Sequence, residues 1–143
     1  MTGSAFLRLL VEERAGRRCE YCHRPQLDPG LPFQLDHIIP KHAGGPTILE
    51  NLALACSRCN RCKWGQQTAR DPRTGRMVRL FNPRQDRWPA HFRRSQDMLR
   101  IYGRTAIGRA TVTLLDLNAP TEQTARRFWR KHLIQLFPLR DEK

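Results

Sequence analysis

The chain has 143 residues and carries 26 lysines and arginines against 13 acidic residues, a formal charge of +13. That length excludes most multidomain enzymes and leaves one domain with room for an appendage, whose modest core would benefit from a staple. The surplus favours polyanions, nucleic acid first, and 22 of the 26 basic residues are arginine, whose planar fork donates two parallel hydrogen bonds to a phosphate.

The alternative source of that arginine is the codon usage of a GC-rich genome, which inflates arginine without functional meaning. The surplus is uneven, with ten basic and six acidic residues in 1–70 against sixteen and seven in 71–143. No run approaches the ~20 apolar residues that span a bilayer, and the N-terminus shows no signal-peptide pattern. The reading is a cytoplasmic protein with no membrane partner.

Ser4 is placed to cap a first helix over residues 5–15, with Phe6, Leu10 and Val11 on one side and Gly16 as its stop. Cys19-x-x-Cys22 follows, then turn chemistry from Pro25 to Pro32. A strand is expected over Phe33–Ile39, a loop over 41–47 and a second strand over Leu52–Ala55. Ser57 is the expected N-cap of a helix from Arg58 to Thr68. Beyond Asp71, the run Asp-Pro-Arg-Thr-Gly reads as a turn and Met77–Phe81 as a strand. Thr105–Asn118 mixes a helical stripe with β-branched residues, and helix is favoured. The last predicted helix runs from a Thr121 cap to Phe137. Ala125, Phe128, Trp129, Leu133 and Leu136 would form its apolar face, opposite Arg126, Arg127, Arg130 and Lys131.

The five cysteines fit metal binding better than a disulfide framework. Cys19, Cys22, Cys56 and Cys59 form two C-x-x-C pairs, the knuckle spacing that completes a tetrahedral Zn²⁺ site. Cys62 competes with Cys56 as the partner of Cys59, and the position of Cys56 in the turn ahead of the helix favours it. Four thiolates around one Zn²⁺ lower the formal charge to about +11, still a polyanion binder.

Phosphodiester hydrolysis needs a base to activate water and a cation to offset charge on the phosphate. His37 can serve as the base, while Asp36 and Asn60 offer hard oxygen ligands suited to Mg²⁺ or Mn²⁺. Strand alternation sends Asp36 and His37 to opposite faces, so a shared site requires a distorted strand end. Read singly, His42 is a loop residue, Asn51 a turn residue and Trp64 a core residue, while Trp88 fits either core or stacking.

Asp-His-Ile-Ile-Pro, a Gly-Gly loop, Glu-Asn-Leu and Cys-x-x-Cys-Asn-x-x-Lys, set between the cysteine pairs, together resemble the HNH endonucleases of ββα-metal fold. The resemblance covers Cys19 to Gln66. It implies that His37 is the general base, that Asp36 and Asn60 hold the catalytic ion, and that Asn51 orients the loop bearing the base. It also implies that the four cysteines hold a structural zinc. Many members have histidine where this chain has Asn60. Lys63, on the same helical side as Asn60, is a candidate phosphate contact, and Arg58 and Arg61 are candidate DNA contacts or a solvated face. The stretch from RLFNPRQDRWPAHF to TAIGRATVTLLDLN resembles an extension accompanying the HNH motif in many bacterial proteins.

The expected fold is α+β: a zinc-stapled ββα-metal core with an N-terminal helix in 1–70 and a basic, DNA-contacting extension in 71–143. The expected activity is metal-dependent hydrolysis of DNA. The alternatives are a non-catalytic zinc module that binds nucleic acid, and cleavage of RNA. One site cuts one strand, so double-strand cleavage calls for a homodimer or rebinding.

Overall fold

A computed structural model describes residues 3–28 and 30–132. The chain divides into two compact units, one running to Gln67 and including Asn82–Arg84, the other formed by Thr68–Phe81 and the chain from Gln85 onward.

The first unit opens with α1, Gly3–Arg14. Ser4 lies inside this helix rather than at its cap. Val11 is its buried residue, while Phe6 is 54% exposed, so the predicted apolar side is narrower than expected. Arginines hold the helix down in its place: Arg14 donates to the carbonyls of Leu49 (2.9 Å) and Leu52 (2.6 Å), and Arg8 to that of Phe33 (2.7 Å).

Strands β1, Gln34–His37, and β2, Leu52–Ala55, pair antiparallel with Asp36 opposite Ala53 and His37 opposite Leu52. All four β2 residues are buried. β1 is shorter than the predicted 33–39. The Ile38 N–H still reaches the Asn51 carbonyl, but both backbone groups of Ile39 bond the Asn51 side chain, which ends the ladder. The loop between the strands contains two 3-10 turns, Lys41–Ala43 and Leu49–Asn51.

Helix α2 spans Ser57–Lys63. Its N-cap is Cys56, whose Sγ accepts from the Cys59 N–H, so Ser57 is the first helical residue and not the cap. The helix stops five residues before the predicted Thr68. Trp64 and Gly65 take left-handed backbone, with φ of 50° and 65°, and the Gln66 N–H closes onto the Lys63 carbonyl.

In the second unit β3, Thr68–Arg70, pairs with β4, Met77–Arg79, across the predicted Asp71 turn. A short α3, Trp88–His91, leads into the hairpin of β5, Phe92–Arg94, and β6, Ile101–Gly103. None of these three was expected. Trp88 is buried and stacks on Phe92, with ring centroids 5.0 Å apart, which settles it as core. Helix α4, Ala106–Leu114, takes its cap from the Thr105 hydroxyl, and its Ala110 packs with Ala69 and Leu80.

Helix α5 spans Pro120–His132, so Thr121 lies within it. The predicted stretch with Leu133, Leu136 and Phe137 lies outside the described residues. Among the described residues of α5, Glu122 and Arg126 are buried, Ala125 and Trp129 half-buried and Phe128 54% exposed, so Arg126 and Phe128 depart from the expected faces while Arg127, Arg130 and Lys131 are exposed as expected. The reason is chemical: the Arg126 guanidinium reaches the carbonyls of Leu99 and Leu117 and the Asn118 side chain, so it is buried with acceptors. No helix of the described residues is long and apolar enough to cross a membrane.

Candidate active site and zinc centre

The first cysteine pair reaches the second because its knuckle pairs with the edge of β2. The Glu20 N–H donates to the Leu54 carbonyl (2.8 Å) and the Glu20 carboxylate accepts from the Leu54 N–H (2.7 Å). Arg84 forms an ion pair with the same carboxylate. The thiols of Cys19, Cys22, Cys56 and Cys59 converge, all buried, with their Sγ atoms within 4.8 Å of one another.

The Cys22 and Cys56 sulfurs are 3.7 Å apart. A disulfide would bring them to ~2.0 Å, whereas a tetrahedron with ~2.3 Å zinc–sulfur bonds has edges of ~3.8 Å. The cluster therefore fits zinc and not a disulfide. Burial pushes the Cys19 thiol up, and its neighbours' thiols, Cys19 first, push Cys59 up. Hydrogen bonds shared within the cluster, again from Cys19 first, pull Cys22 and Cys56 down. Such a set gives up its protons to a metal ion. Cys62 is outside the cluster and half-buried.

On β1 the pairing with β2 is regular through His37, and the two candidate residues meet different partners. Asp36 is buried: it accepts from the Tyr21 hydroxyl (2.6 Å) and from Lys63 Nζ at 2.9 and 3.2 Å. Burial, then the Asp36 charge, pushes the Tyr21 phenol up. Half-buried His37 has its Nε2 hydrogen-bonded to Thr47 Oγ1 at 2.9 Å. Burial and then Lys41 hold its imidazole below the ordinary value, which favours the uncharged form that a general base requires.

Asn51 is buried and uses both ends of its amide. Its Oδ1 accepts from the Ile39 N–H (2.8 Å), and its Nδ2 donates to the carbonyls of Ile39 (3.0 Å) and Pro46 (2.9 Å). The segment beyond His37 is thus clamped, and it needs glycine at 45, where a Cβ would lie 1.7 Å from the Ile39 carbonyl oxygen.

Lys63 is 2% exposed, and its ammonium also reaches the carbonyls of His37 (3.2 Å) and Ile38 (3.4 Å). In this arrangement it faces protein oxygens and not solvent, so a phosphate contact would require it to leave them. Asn60 precedes it by three residues, on the same side of α2, so the side of the helix that meets Asp36 also carries the Asn60 amide. Arg61 is exposed and Arg58 half-buried. Trp64 is 78% exposed, which overturns its assignment to the core. Tyr21, Thr47 and Glu20 escape sequence reasoning, because no fixed spacing marks the partner of a buried carboxylate, a ring nitrogen or a strand edge.

Residues 19–65 match the family model described as HNH endonuclease. This segment is an HNH endonuclease domain, with a ββα-type core carrying a four-cysteine structural zinc site and flanked by helices. Neither a search of curated proteins nor one of solved structures finds a match.

Proposed function

We propose that the protein is a metal-dependent endonuclease that hydrolyses DNA phosphodiester bonds. The observation that carries the proposal is the placement of His37: its imidazole, hydrogen-bonded to Thr47, stands at the end of β1 within the HNH segment. Its Nδ1, the nitrogen Thr47 leaves open, takes the proton from water attacking in line at phosphorus. The 3′ oxygen departs, giving 5′ phosphate and 3′ hydroxyl ends. Asn51 keeps the segment bearing the base in place through its three hydrogen bonds to residues 39 and 46.

The donor chemistry of Asp36 and Asn60, a carboxylate and an amide oxygen, fits Mg²⁺ or Mn²⁺. A divalent ion held there would offset the charge gathering on the phosphate and the leaving oxygen. Asp36 presents its oxygens to α2 only if Lys63 yields part of its hold on them.

Plasmid incubated with Mg²⁺ or Mn²⁺ should be nicked by the wild type, and His37→Ala should slow the reaction by about 10²–10⁴-fold. Equal binding by both proteins with cleavage by neither would return the protein to the class of non-catalytic nucleic-acid-binding modules. An RNA substrate run in parallel separates the two nucleic acids.

A further inference from the structure

Trp64 directly follows α2 and is 78% exposed, although it is the largest kind of apolar side chain. Its placement is not that of a frayed helix end. Its N–H bonds the Asn60 carbonyl at 3.1 Å, the Gln66 N–H bonds the Lys63 carbonyl at 2.9 Å, and the Gly65 carbonyl lies 3.3 Å from His42 Nε2. The backbone at Trp64 is left-handed, φ 50°, a conformation rare for bulky residues and costly unless the surroundings impose it. The chain therefore holds the Trp64 backbone in place with its indole largely in water, one peptide bond from the residue that grips Asp36.

The turn also lies against the clamped segment, since a Cβ on Gly65 would sit 3.7 Å from Pro40 Cβ. Ile39, next to Pro40, and Ile48, next to Thr47, are each 45% exposed, and Lys41 is exposed as well. The segment that Asn51 clamps and the turn packed against it thus expose three apolar side chains, Ile39, Ile48 and Trp64, in a chain of charge +13. A nucleic acid whose phosphates are drawn by that charge presents its bases as the complementary apolar surface. Rigid exposed aromatics take bases by stacking, and apolar wedges of this kind enter steps that are already unstacked at the least cost.

We infer that Trp64 is the residue on which this site stacks an unpaired base, so that single strands and duplexes with a bulge or mismatch are its preferred substrates. The inference rests on the nuclease reading and deepens it.

The test uses the full-length zinc-loaded protein without Mg²⁺ or Mn²⁺, and measures by fluorescence anisotropy its affinity for one DNA duplex with and without a single-base bulge. The wild type should prefer the bulged duplex by about 5- to 100-fold. Trp64→Ala should lose that preference at an unchanged Tm, because the side chain is exposed, and Trp64→Phe should keep most of it. A preference that survives in Trp64→Ala, or a wild type that has none, overturns the inference while leaving the nuclease reading to its plasmid assay. A wild type that binds neither DNA overturns both.

Discussion

Lys63 places one ammonium among four oxygens: both from the Asp36 carboxylate and the carbonyls of His37 and Ile38. A buried carboxylate stripped of its counter-charge costs about 3–5 kcal/mol. Lys63→Met should therefore lower Tm sharply in chelator, and Mn²⁺ should restore more of it in the variant than it adds to the wild type. Thermal melts with and without the ion check this, and an equal Mn²⁺ response in both proteins would remove Asp36 from the ligand set. The motif singled out His37, Asn51 and Asn60 as candidates from sequence alone, because each sits at a fixed place in a short pattern. Lys63 was legible as a charge but not as a buried one, since burial depends on what the opposing strand brings. Trp64 misled for the related reason that hydrophobicity says nothing about where a helix will end.

At the scale of elements, the order strand, loop, strand, helix could be read because strand propensity, the Gly-Gly loop and the cysteine spacing all agreed on it. Helix ends were less legible. A cysteine displaced serine as the cap of α2, since the sulfur was already fixed by its cluster, and Asn51 ended β1 by bonding Ile39 from the side. The β5–β6 hairpin went unseen because its strands are three residues each, too short for periodicity to register. The zinc-bearing elements lean on their metal: β1, β2 and α2 amount to fifteen residues, too few to bury much apolar surface. Purified protein should contain about one zinc per chain. Stripping it, or replacing Cys59 by serine, should unfold the first unit and abolish cleavage that added Mg²⁺ does not recover, as followed by circular dichroism and plasmid nicking. Cleavage at full rate without zinc would show that packing alone holds these elements.

For the whole molecule, the uneven charge noted in the sequence takes a definite form in the second unit. Arg93 and Arg100 are both exposed and lie over the Tyr102 ring, 4.5 and 5.9 Å from its centroid, whereas Arg109 and Arg126 are committed to Asp71 and to backbone carbonyls. Composition counted all of these alike, and only the fold separates arginines that hold the protein together from those facing solvent. Each phosphate contact adds about 0.9 to the slope of log affinity against log salt. Replacing Arg93 and Arg100 together by alanine should therefore lower the slope for DNA by about two; an unchanged slope would make them a solvated surface. The zinc cluster has a further consequence in the order of synthesis. Its ligands run from Cys19 to Cys59, with 33 residues between the two pairs, so a nascent chain cannot close the cluster until α2 has left the ribosome. His37 emerges well before that, on a strand still without its partner β2. A cell making this protein thus meets a zinc-stapled HNH core only after residues 19–59 have all emerged, and chains interrupted before Cys59 lack the fourth ligand of the cluster.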